Sequence, residues 1–463
     1  MAGDSGMSAQ LASHIRPFQE DPWEPAVLRR TKLCLLDSLA CYSAGRSLPH
    51  FGPSSRVARN LFGVGPNPPD RHAPISPFLM AYLYGQAANA LDYDDMLLGH
   101  PGSPIIGSVL AVATRDRLSV DRLLRGIAAG YEAHWILCAA GAPSRERSAL
   151  VRSISVWDTV AASIGASVAL GLEDDMSERV IGVAVAHSML PYIAKWYDRP
   201  VPALKNNMGW VAAGAVLSID LAMAGLSGVT APLDGDTGMW RMVGSDQWIL
   251  EKQLLEKPAV LRVGFKQYPA CWHIQEYLKT FSRLLASMAP DDAVAEIVVT
   301  SPREIEKFCP PGISGSADIA FSLPATLNLL ISGVEPGPLW DFSDGSGMRH
   351  TFRYEHSEHR TILVRTRGGA EMTAGVRVND SSDLAASGLD EESVIAKHER
   401  LTEALLRSEA IAAFAPDYLP AVDSVPDRFY AAVGRLIADE PSESGDHSIS
   451  LHGAGHENSL RRR

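Results

Sequence analysis

"AVLRRTKLCLLDSLACYSAG", residues 26–45, places Leu28, Leu35, Leu36 and Leu39 on one stripe at three-and-four spacing and ends on Gly45, a helix stop signal. That period predicts a helix with one face against a core. Similar segments, rich in alanine, follow at 78–91, 104–115, 120–140, 156–171, 177–190 and 208–224, with no strand pattern between them. A succession of this kind predicts a large all-helical domain.

The texture changes after "KQYPACWH" (266–273). A helical stretch near 272–287 leads into the β-branched run "AVAEIVVTSP" (293–302), a strand, and "RTILVRTRGGAEMTAGVRV" (360–378) reads as a hairpin turning at Gly368 and Gly369. Residues 265–385 therefore form a smaller α+β unit. Helical texture returns in "EESVIAKHERLTEALL" (391–406) and "DRFYAAVGRLIA" (427–438), and these segments are expected to rejoin the first domain. The expected division is 1–264 helical, 265–385 α+β, 386–440 helical again, and a disordered tail over 441–463 with almost nothing to bury.

The 463 residues are 46% hydrophobic and 21% charged, with a formal net charge of −12, which offers no basic stripe to neutralise nucleic-acid phosphates. No apolar run reaches the roughly 18 residues of a spanning helix, and "MAGDSGMSAQ" lacks the basic and apolar regions of a signal peptide. A cytoplasmic protein is expected. The five cysteines, Cys34, Cys41, Cys138, Cys271 and Cys309, form no CxxC pair and read as small core residues. Dinucleotide, P-loop, nucleophile-elbow and HExxH motifs are absent, and His356 and His359 in "HSEH" read as a solvated edge.

Chemistry concentrates in "ALDYDDMLLGHPGSP" (90–104), where Asp92, Asp94, Asp95 and His100 fall within nine residues. Ser103 and Pro104 have the form of a helix N-cap and first-turn proline, which would set His100 in the loop ahead of a helix N-terminus whose field favours a neutral ring. Asp92 would end the preceding helix and point into the same space, giving a general acid/base pair. Two other readings stand beside this one: capping and turn aspartates, or a metal site from Asp92, Asp95 and His100 whose further ligands are not evident. Lys205 in "PVPALKNNMGW" and the group Lys266, Cys271, His273 and Gln275 in "GFKQYPACWHIQ" lie at a helix start and at the domain boundary. Clefts between domains are where small-molecule sites concentrate.

Taken in order, "LCLLDSLACYSAGR", the acidic loop, the Lys205 segment, "FKQYPACWHIQ", "ADIAFSLPATLNLLISG" and "ESVIAKHERL" resemble the MmgE/PrpD family. That family includes 2-methylcitrate dehydratase, cis-aconitate decarboxylase and iminodisuccinate epimerase. The resemblance implies a mainly α fold: a helical domain built from both chain ends, an inserted α+β lid, and a homodimer. It also implies a metal-free, cofactor-free site between domain and lid that acts on a small carboxylate. Carried over by position, the catalytic residues are Asp92, His100, Lys205, Lys266 and His273, and Met96, Cys271, Gln275 and Leu323 are expected at the substrate, Gln275 matching the dehydratase-like form of its segment. Several polar contacts of relatives are replaced here: Met96 stands for a threonine, Cys271 for a histidine, Leu323 for a tyrosine, and Ile154 lies where a histidine is expected. Those changes leave room for a smaller or less charged substrate. The implied activity is a lyase, foremost a dehydratase passing through an enolate-like state; a decarboxylase or epimerase is the alternative, and a dimeric binding protein that has lost catalysis is the reading from another class.

Overall fold

The computed structural model describes residues 6–62, 75–148, 151–152, 155–189, 192–193, 198–203, 206–243, 245, 248–310, 312–341, 350–378, 384–415 and 424–439. The proposed tail, Lys205 and Ile154 lie outside these residues. The first half of the chain runs through α1 (Met7–Ile15), α2 (Pro17–Glu20), α3 (Pro25–Gly45), α4 (Phe51–Phe62), α5 (Pro77–Asn89), α6 (Gly102–Asp116), α7 (Val120–Ala140) and α8 (Arg145–Ser148). It continues through α9 (Asp158–Leu170), α10 (Asp174–Ala184) and α11 (Met208–Met223). One feature departs from the all-helical expectation: β1 (Val151–Arg152) and β2 (Tyr192–Ile193) pair as a short antiparallel ladder.

Beyond Gly264 come α12 (Trp272–Ala286), β3 (Val294–Ser301), α13 (Leu323–Ile331), β4 (Thr351–His356), β5 (Thr361–Thr366) and β6 (Glu371–Gly375). The four longer strands form one sheet in the order β4-β3-β5-β6, with β3 parallel to β4 and the other pairs antiparallel. The β5–β6 hairpin turns through Gly368 and Gly369 as its sequence predicts, Gly369 taking a φ of 90°. β4 was not anticipated; its alternation is masked by Arg353, Glu355 and His356, charges that suit an exposed edge strand. The chain closes with α14 (Glu391–Leu401), α15 (Ala404–Phe414) and α16 (Asp427–Ala438). The single helix expected over 391–406 is thus two, broken where Thr402 becomes extended and its hydroxyl pairs with His398 Nδ1 at 3.0 Å.

Two large apolar cores divide the molecule. The first gathers side chains from Leu11 to Phe265 and then Val394, Leu406, Phe414, Phe429 and Ile437, so α14–α16 pack into the core that α3–α11 begin. The second runs from Tyr268 to Val376 and sits between the sheet, α12 and α13. Only Lys266 and Gln267 separate Phe265 of the first core from Tyr268 of the second.

Helix boundaries follow local chemistry. Ser76 caps α5 ahead of Pro77, Ser119 caps α7, and Gly171 ends α9 at φ 68°. Gly45 does close α3, but within helical geometry and for a reason of packing. A Cβ there would lie 1.9 Å from the carbonyl oxygen of Ala87, so its absence lets α3 rest directly on α5, the helix that feeds the acidic loop. Gly45→Ala would add up to about 1 kcal/mol of helix propensity, while forcing two backbones apart costs about 1–3 kcal/mol. The variant is therefore expected to melt below the wild type in thermal unfolding; an unchanged or raised midpoint would show that α3 and α5 can separate freely.

Candidate active site

The acidic loop departs from α5 in a left-handed turn at Asp92, whose φ is 54°, a conformation that aspartate tolerates better than most residues. Asp92 is 2% exposed and its carboxylate lies between two partners. Lys266 Nζ donates to Asp92 Oδ2 at 3.1 Å and to the Asp92 carbonyl at 2.7 Å, and His100 Nε2 stands 3.6 Å from Asp92 Oδ1. Lys266 itself has no exposed surface. Met96 ties the two segments together, exchanging backbone hydrogen bonds with Gly264 at 2.9 and 3.0 Å while its side chain stays half-buried.

Asp94 holds the other side of His100. Its Oδ1 faces His100 Nδ1 at 3.1 Å, Ser103 Oγ donates to its Oδ2 at 2.5 Å, and Asn89 Nδ2 donates to both oxygens at 3.2 and 3.1 Å. Burial opposes charge on this carboxyl, but the charge and hydrogen bond of His100, with Lys266 and Ser103, outweigh it and hold Asp94 well below the usual carboxylate range. This corrects the expected N-cap. Ser103 lies inside α6, which begins at Gly102, and its hydroxyl serves Asp94; the amide of Gly102 donates instead to Asp95 Oδ1 at 3.1 Å. His100 does precede a helix N-terminus as expected, yet its ring also sits between two carboxylates.

Asp95 turns away from this pair to accept from Tyr131 Oη at 2.5 Å. The three aspartates thus face different partners, and among the described residues no group of three or more His, Cys, Asp or Glu is arranged to hold a metal ion. Burial pushes the Asp95 carboxyl up to about 7, against the hydrogen bonds of Tyr131 and Gly102 and with the help of Asp37 and Asp94.

The remaining candidates divide. Cys271 is 8% exposed and close enough to Asp92 and Lys266 to feel both; burial, then Asp92, pushes its thiol up to about 11, so it reads as a compact apolar wall and not a nucleophile. Gln275 is fully engaged with backbone: its Oε1 accepts from the amides of Gln267 and Tyr268 at 3.2 Å, and its Nε2 donates to the carbonyls of Tyr268 and Ala270 at 2.9 Å. It clamps the turn after Lys266, a positioning duty in place of the expected substrate contact. Leu323, also expected at the substrate, has no exposed surface and packs in the second core at the start of α13. His273 is exposed in the first turn of α12, its ring 5.8 Å from Phe308. His356 and His359 are exposed.

Sequence reasoning missed two supports. Lys397 on α14 donates to Asp37 Oδ1 and to the Tyr93 carbonyl, each at 2.8 Å, and its ammonium lies 3.7 Å from the Tyr93 ring centroid. His134 on α7 bonds Asp158 Oδ1 through Nδ1 and the Leu97 carbonyl through Nε2, both at 2.6 Å. Burial works against charge on His134, but Cys138 and Asp158 beside it outweigh that and raise its pKa well above the usual histidine value. Half of the signal was present: Asp37 is a charge flanked at three-and-four spacing by Leu33, Cys34, Ala40 and Cys41 and demands a partner, whereas Lys397 sits among Ser393, Val394, Arg400 and Leu401.

A family description, the MmgE/PrpD N-terminal domain, matches residues 9–250, just over half of the chain. The chain belongs to the MmgE/PrpD family. No curated protein matches it. Membership suggests an enzyme of the lyase or dehydratase kind. The matched span holds the whole acidic loop, and the Met96–Gly264 pair carries the geometry on to Lys266 beyond it. A groove of about 720 Å³ opens between α5, α6 and α16, beside Met80, Arg115, Tyr430 and Arg435, and Asp92, His100 and Lys266 do not line it.

The raised carboxyl of Asp95 makes a signed prediction. Its folded form resists ionisation, so its contribution to stability is complete below about pH 4 and is lost as pH rises toward 7, by up to about 1.4 kcal/mol per pH unit. Asp95→Asn removes that loss, and the stability of the wild type relative to this variant should fall between pH 5 and 7 in urea unfolding. A constant difference across that range would show that Asp95 ionises normally.

Proposed function

We propose that this protein is a cofactor-independent lyase acting on a small hydroxy-carboxylic acid, a dehydratase in which a proton α to the carboxylate is removed and the β-hydroxyl leaves as water. The observation that supports this most is the contact of one histidine and one wholly buried lysine with the same carboxylate, His100 and Lys266 with Asp92. Such a group combines an acid/base with a fixed positive charge. His100 takes the α-proton, and the C–H electron pair passes into the substrate carboxylate, giving an enolate-like state with extra negative charge. Lys266 and Lys205 stabilise that charge, Lys205 by the family resemblance. The C–O bond to the β-hydroxyl then breaks with proton donation from His100 or from His273.

In this reading residues 265–385 are the lid over a helical domain made of 1–264 and 386–440, and the enzyme is a cytoplasmic homodimer. Met96 and Cys271 supply an apolar wall where relatives carry polar groups, which suits a substrate with fewer charges than a tricarboxylate. Decarboxylation and epimerisation share the same enolate-like state and differ in the bond broken next.

The test is incubation with a panel of hydroxy- and unsaturated carboxylates in deuterium oxide, following exchange, alkene formation and carbon dioxide. An alkene or hydration product with at least one acid is expected. His100→Ala and Lys205→Ala should each lower turnover on the order of 10²-fold or more, and His100→Ala should also melt lower, because it takes a partner from the buried Asp94. Lys266→Met should lower turnover and also the melting point, because it leaves Asp92 buried without its ammonium. Binding without exchange or turnover across the panel would replace this reading with that of a binding protein; carbon dioxide or inverted substrate would reassign the bond broken.

A further inference from the structure

We propose that Asp94 is the positioning residue of this site, fixing the proton of neutral His100 on Nδ1 so that Nε2, the nitrogen facing Asp92, carries the lone pair. The proposal rests on the reading of His100 as the acid–base group.

The sequence pairs Asp92 with His100 as acid and base, but the geometry puts the orienting contact on Asp94. Asp92 Oδ1 is 3.6 Å from His100 Nε2, beyond hydrogen-bond distance, and its other oxygen and its carbonyl are taken by Lys266. Asp94 Oδ1 is 3.1 Å from Nδ1. Asp94 is 1% exposed and receives donors on both oxygens from Asn89 and Ser103, an environment that keeps it ionised and therefore an acceptor only. A ring nitrogen opposite such an acceptor must carry hydrogen. A neutral imidazole has one N–H, so the other nitrogen is left as the base.

The support extends further. Asn89, at the end of α5, uses its amide nitrogen on Asp94 while its oxygen accepts from Asn206 Nδ2 at 3.3 Å. Asn206 follows Lys205 directly in the chain, so the hydrogen bonds that fix His100 run on into the segment carrying the second proposed cation. Ser103 completes the arrangement from inside α6, which explains a serine at a position where a cap was expected.

Two measurements test this. In the ¹⁵N-labelled wild type, long-range proton–nitrogen correlations assigned to His100 should show Nδ1 protonated in the neutral ring, and Asp94→Ala should shift the proton toward Nε2. Neutral wild-type His100 protonated on Nε2 would overturn the proposal, whether or not Asp94→Ala folds. So would an Asp94→Ala ring with the wild-type tautomer. With an acid that is turned over, Asp94→Asn should lower kcat on the order of 10²-fold with KM within about twofold; wild-type kcat would also overturn it. If the tautomer is as stated and no acid reacts, the lyase reading fails while the role of Asp94 stands.

Discussion

A lysine ammonium with no exposed surface needs a carboxylate at hand, and the pairing of Lys266 with Asp92 is the contact on which the rest of this site depends. Breaking a buried pair by removing one partner costs about 3–5 kcal/mol, because the survivor keeps its charge and loses its counterpart. Lys266 stands between Phe265, which belongs to the helical core, and Tyr268, the first residue of the mixed one. The electrostatic demand of this one side chain ties the segment that leaves the helical core to the acidic loop.

The loop has no regular structure to hold it, since Asp92 and Leu98 both adopt left-handed conformations that interrupt helix and strand alike. Buried cations replace the missing ladder. The carbonyls of Asp92, Tyr93 and Leu97 accept from Lys266, Lys397 and His134, which come from the junction, from α14 and from α7. Each donor is itself held by a carboxylate: Asp92, Asp37 and Asp158. The loop between Asn89 and Gly102 is thereby fixed by side chains from α7, from the segment after Gly264 and from α14, the last of which packs on α3.

Much of this was legible in the residues. The helical stripes of α3, α5, α7, α9 and α11, the strand β3 and the hairpin β5–β6 each followed from an unbroken apolar period with clear end signals. Two features were missed: β4, a short run in which Phe352 and Tyr354 alternate with Thr351, Arg353 and Glu355, and the α14–α15 break, which carries neither glycine nor proline. In the site, residue type and position pointed to Asp92 with His100 and the family resemblance added Lys266, but the division of labour among the aspartates was legible in neither. Which carboxylate meets which nitrogen depends on a turn whose sense no local pattern announces. Gln275 and Leu323 illustrate the same limit, one side chain turned to its own backbone and the other into a core.

The pairing of Met96 with Gly264 uses main-chain atoms alone. The register between the acidic loop and the lysine segment is therefore indifferent to the side chain at position 96. An exchange there leaves the backbone that brings Lys266 to Asp92 in place, whereas an exchange at either of those two strands a buried charge.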